Sequence, residues 1–66
     1  MNKIKELRKA QLLTQKQLAE KIGLTDEAIC QYEKGQRVPN VYILYKISKV
    51  LNCTIEDLLD KKVANE

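Results

Sequence analysis

The densest hydrogen-bonding chemistry in this sequence lies in TDEAICQYEKGQR, from Thr25 to Arg37. At about 100° per residue, Glu27, Cys30, Gln31 and Lys34 fall on one side of a helix and Ala28, Ile29 and Tyr32 on the other, with Asp26 at the exposed N-terminal end. Carboxylates accept, an ammonium donates, and an amide does both, so this face is equipped for recognition. It is not equipped for catalysis. The chain has no His, no glycine-rich phosphate loop and no nucleophile beside a base, and no enzyme is expected. Cys30 and Cys53 lack metal-ligand spacing and are expected to be free thiols. No metal, cofactor or small-molecule ligand is therefore expected. Any surface helix has a polar outer face, so the face alone does not identify a partner.

The elements that must position this face can be read from caps and periodicity. Thr25 is a good N-cap for the helix, and Gly35 stops it. Just before it, Thr14 caps a helix carrying Leu18, Ala19 and Ile22, and Gly23 stops that one. Only Leu24 separates Gly23 from Thr25. A connection so short forbids a long hairpin, so the two helices must cross steeply, as in a helix-turn-helix. The second of them is then the candidate reader of DNA.

Around this pair the sequence predicts three more helices. The first opens at Asn2 as its candidate cap, has Ile4, Leu7 and Ala10 as its buried edge, and is closed by Leu12 and Leu13. After the turn Gly35-Gln36-Arg37-Val38-Pro39, Asn40 caps a helix that uses Val41, Leu44, Ile47, Ser48 and Leu51 and runs to about Asn52. Thr54, with Asp57 three residues on, begins a fifth helix whose apolar side is Ile55, Leu58 and Leu59. No strand, repeat or low-complexity segment is evident.

Sixty-six residues make one domain, with its core over about 4–59 and a tail from 60 to 66 expected to fray. A core this small benefits from good caps or self-association. No apolar run approaches the roughly 20 residues needed to span a bilayer, and the N-terminus does not read as a signal peptide, so a cytoplasmic location is expected. The net charge of +3 is unevenly spread. Lys3, Lys5, Arg8, Lys9, Lys16 and Lys21 outnumber Glu6 and Glu20 in the first two helices, whereas residues 52–66 are net acidic. A polyanion would be met by the N-terminal part.

From about Ile4 to Leu59 the chain resembles the Cro/C1-type (Xre) helix-turn-helix family of phage and bacterial repressors. The resemblance is carried by Arg8, LTQKQLAEKIGLT from Leu13 to Thr25, Ile29, YEKG from Tyr32 to Gly35, Pro39, Leu44, Ile47, Leu51 and IEDLL from Ile55 to Leu59. It implies an all-α, compact, five-helix, lambda-repressor-like domain. The implied function is sequence-specific binding of double-stranded DNA, as a transcriptional regulator and expectedly a repressor, by a homodimer on an inverted-repeat operator. The alternative is an antitoxin-like or other protein-interaction module on the same fold.

The resemblance also implies roles. Gln15, at the start of the second helix, matches the family's phosphate-binding glutamine, where free N–H groups and the helix dipole attract an anion. Thr25 caps the reading helix and touches phosphate, and Lys34, Gln36 and Arg37 are placed for the DNA backbone. Arg8 and Glu33 match a structural ion pair between the first and third helices. Tyr32 is expected in the core. Asp26 and Glu27 depart from the family pattern, which often has Gln, Ser or Arg there. One acid would accept from the N4 amino group of cytosine while the other caps the helix. Gln31 is the neutral base reader, most naturally for adenine, and Cys30 on the same face is either an apolar contact to a thymine methyl or an incidental exposed thiol. The dimer contact is expected at the C-terminal helices, through Tyr45, Val50, Ile55, Leu59 and Val63.

Overall fold

A computed structural model of the chain describes residues 2–59. It contains α1 (Ile4–Ala10), α2 (Gln15–Ile22), α3 (Asp26–Lys34), α4 (Val41–Leu51) and α5 (Ile55–Leu58). The expectations for Val63 and for the tail from Asp60 lie outside the described residues. Among the described residues no helix is long and apolar enough to cross a membrane.

Local chemistry sets these boundaries. Thr14, Thr25, Asn40 and Thr54 each accept a backbone N–H in the first turn of the helix they precede. At Thr14 and Thr54 the third helical residue, Gln17 or Asp57, reciprocates with a side-chain bond to the cap's own N–H. Each such box satisfies two N–H groups that would otherwise have no partner in the helix. Gly23 and Gly35, both at φ 77°, and Asn52 at φ 58° end α2, α3 and α4 in the left-handed conformation.

The core consists of Ile4, Leu18, Ala19, Ile22, Ala28, Ile29, Tyr32, Leu44, Ile47, Leu51 and Leu58. Each fully buried Leu or Ile among them contributes about 1.5–3 kcal/mol. Packing is most extensive between α2 and α3, then α2 and α4, with α5 closing on α4 and α1 on α3. Ser48 is buried, and its small hydroxyl donates to Tyr45 O at 2.7 Å within α4. Cys30 and Cys53 are free. Burial foremost, and the Asp57 carboxylate next, push the Cys53 thiol above its ordinary value.

The first helix differs from the sequence reading. It ends at Ala10, because Leu12 turns the chain at φ 60° and is almost wholly exposed. Ala10 is exposed as well, since it lies about 200° around the helix from Arg8, whose side chain is buried beside Ile4. The N-cap position is Lys3, which makes no side-chain cap. Asn2 instead accepts from the Ile4 N–H at 3.1 Å and donates through Nδ2 to Tyr32 O at 2.8 Å. Asn2 also forms an isolated antiparallel bridge with Leu59, with Lys3 N–H donating to Leu58 O at 2.9 Å. The N-terminal residues are thus tied to the ends of both α3 and α5.

Val41 is the second correction. It is 73% exposed and does not join the core, because it occupies the first turn of α4, and the buried apolar residue at that end is Pro39. Leu59 lies beyond α5 and is exposed, leaving Leu58 as the buried residue of that helix.

Candidate nucleic-acid interface

The turn between α2 and α3 is held by backbone geometry. Leu24 N–H donates to Ala19 O at 2.9 Å across Gly23, and Leu24 packs partly against the core. Thr25 Oγ1 then accepts from Ala28 N–H at 3.2 Å and starts α3 in a new direction. Ala28, Ile29 and Tyr32 are buried, Glu27 and Lys34 are exposed, and Cys30 and Gln31 are half-buried on the outer side. Asp26 and Glu27 occupy the exposed first turn of α3, where negative charge complements the helix dipole.

Behind this face a buried network fixes α3 to the rest of the domain. Arg8 donates from Nε to Glu33 Oε2 at 2.6 Å and from Nη2 to Oε1 at 3.2 Å. A third donation, from Nη1 to Leu13 O at 2.7 Å, anchors the segment that leads into α2. Both side chains are buried, at 8% and 3% exposure. Gln15, in the first turn of α2, donates from Nε2 to Glu33 Oε1 at 2.9 Å. Its amide has two N–H groups, so one remains for an anion. Glu33 therefore gathers α1, α2 and α3 on one carboxylate.

At the other end, the loop after α3 folds back on Gln31. The Gln31 carbonyl accepts from Gln36 N–H at 2.9 Å and Arg37 N–H at 3.3 Å. Arg37 Nη1 also donates to Gln31 Oε1 at 3.3 Å, and its guanidinium lies 5.5 Å from the Tyr32 ring centroid. Gln36, Arg37 and Lys34 are exposed. Gln15 and Thr25 thus lie at the starts of the two crossing helices, with Lys34 in the last turn of α3 and Gln36 and Arg37 beyond its end. Cys30 and Gln31 lie between these groups.

Sequence reasoning missed Lys46. From α4 its ammonium donates to Ile22 O at 3.1 Å, satisfying a carbonyl at the C-terminus of α2, where a cation also suits the dipole. No local signal predicts a bond across 24 residues. Of the residues expected at a dimer contact, Tyr45 and Leu59 are exposed, whereas Val50 and Ile55 are half-buried against the core. Among the described residues, no group of three or more Cys, Asp or Glu is arranged to hold a metal ion.

Two short helices joined through a glycine turn, the second presenting a polar outer face, define a helix-turn-helix domain. The helix-turn-helix family matches residues 4–58, and the chain belongs to the Cro/C1-type helix-turn-helix family of DNA-binding transcriptional regulators. An uncharacterised helix-turn-helix transcriptional regulator of Archaeoglobus fulgidus is 43% identical over 56 residues, covering 85% of this chain and 80% of that protein. The transcriptional activator BcrR of Enterococcus faecalis is 42% identical over 86% of this chain but only 28% of its own length. The P22 c2 repressor, solved in complex with a synthetic operator, superposes with a TM-score of 0.82 at 33% identity, covering 88% of each chain.

Proposed function

We propose that the chain is a transcriptional repressor that binds an inverted-repeat operator as a homodimer, with α3 in the major groove. The observation that carries this is the exposed polar face of α3, held rigidly from behind by Arg8 and Glu33 and flanked by backbone-binding groups. Gln15, Thr25, Lys34, Gln36 and Arg37 engage phosphates and set the register. Gln31 and Glu27 read base edges, Glu27 by accepting from cytosine N4, while Asp26 lies at the helix N-terminus and Cys30 meets a thymine methyl. The likeness to an operator-bound repressor over 88% of both chains supports the repressor reading.

Selection from random duplexes, followed by titration of the recovered site at increasing salt, tests this reading. Each neutralised phosphate contributes about −0.9 to the log-log slope, so several contacts give a steep loss of affinity. Lys34→Ala should make that slope shallower by about one contact and weaken all sequences alike. Affinity that stays flat from low to moderate salt defeats the proposal. Recovery of no consensus at all favours the protein-interaction alternative, which the exposed acids Asp26 and Glu27 would serve.

A further inference from the structure

We infer that Arg37 is a specificity-determining positioning residue, which turns the Gln31 amide so that its N–H groups face the groove and residue 31 reads guanine. This rests on α3 being the base reader. The Arg37–Gln31 contact has a required polarity. A guanidinium has five donors and no acceptor, so the end of the carboxamide facing it must be the oxygen. The bond from Nη1 to Oε1, at 3.3 Å, has that sense, and it leaves the amide N–H groups at the free end.

Three further contacts keep Arg37 in place. Its own N–H and that of Gln36 donate to the Gln31 carbonyl, so the loop is latched to the residue it orients. Its guanidinium also lies against the ring of Tyr32, which is 4% exposed and fixed in the core. Cation and ring attract, and the flat guanidinium is thereby confined to one side of Gln31.

The consequence is a choice between purines. A bidentate glutamine–adenine pair needs the amide oxygen to accept from N6 and the amide nitrogen to donate to N7. With Oε1 turned back to Arg37, one of its two lone pairs is taken and the amide N–H groups lead into the groove, so that pairing is weakened. Guanine presents two acceptors, O6 and N7, in the same place, and both suit an outward-facing amide N–H group. The neighbouring positive charge acts in the same direction, since it attracts acceptor oxygens and repels an amino group. Arg37 has donors left for phosphate, so it can serve position and specificity together.

Selection on random duplexes with the wild-type chain, Gln31→Ala, Arg37→Ala and Arg37→Lys tests the inference. The position governed by residue 31 is the one whose preference Gln31→Ala abolishes. Guanine is expected there for the wild type. Arg37→Ala should reduce its advantage over adenine by about tenfold, while the preferences at other positions keep their order. Arg37→Lys should retain the wild-type salt slope but not the guanine preference, because a flexible ammonium does not hold the amide. Circular dichroism should show unchanged helicity in all three variants. Adenine at that position in the wild type, equal weakening of every sequence by Arg37→Ala, or no position responding to Gln31→Ala would each overturn the inference. A selection that yields no consensus with the wild-type chain defeats the DNA reading itself, and this inference with it.

Discussion

Arg8 and Glu33 are the most connected pair of side chains in the domain, because their two-bond contact, with Gln15 on the same carboxylate, joins three helices and both side chains are buried. Removing one partner strands the other charge, which costs about 3–5 kcal/mol, comparable to the whole stability of a domain this small. Arg8→Ala and Glu33→Ala should therefore be largely unfolded in circular dichroism at 25 °C. Arg8→Met with Glu33→Leu should recover much of the loss, because a buried ion pair replaced by apolar groups of similar volume is often neutral. A single variant with an unchanged urea midpoint would mean that the network is ornamental. The pair was legible only through the family resemblance, since nothing local relates residues 25 apart. The inner and outer sides of α3 followed from helical angle alone. The Asn2–Tyr32 and Lys46–Ile22 bonds left no trace in the sequence, for each depends on where two distant segments pack.

At the scale of elements, the α2–α3 turn decides where the reading face points. Thr25→Ala removes the acceptor for Ala28 N–H and should cost about 1 kcal/mol, with Thr25→Ser close to neutral. Gly23→Ala should cost about 1–2 kcal/mol for a different reason, because the left-handed φ of 77° is strained for any residue with a Cβ. No atom lies within 4 Å of that Cβ, so the cost is conformational and both variants should still fold. Urea denaturation measures both losses, and a Gly23→Ala variant as stable as wild type would contradict the turn described here. The helix starts were legible because Thr14, Thr25, Asn40 and Thr54 announce them chemically. The end of α1 was not, because periodic apolar residues at Leu12 and Leu13 continue the pattern past the point where the backbone leaves the helix. Val41 misled for a related reason: periodicity identifies a face, but not how far along that face the neighbouring helices reach.

At the scale of the whole molecule, the outer side of α4 presents apolar surface to solvent. Tyr45 is 51% exposed, Tyr42 65% and Val41 73%, a large apolar share for so small a surface. Lys46 and Lys49 lie 4.9 and 5.4 Å from the rings of Tyr42 and Tyr45, so the tyrosines already carry their own cations. A two-fold contact through this surface would keep α3 free and set two reading helices about 34 Å apart on one side of the duplex. Val50 and Ile55 are poor probes of that contact, because both pack against the core and a charge there would disturb the fold. Tyr45→Glu is the sharper choice: its ring is exposed, and glutamate is a good helix former. Circular dichroism should show the wild-type helix content, while sedimentation at micromolar concentration shifts from dimer to monomer. Binding to the full palindrome should then fall toward that of a lone half-site. A wild-type chain that sediments as a monomer and binds a half-site as tightly as the palindrome would show that one α3 suffices.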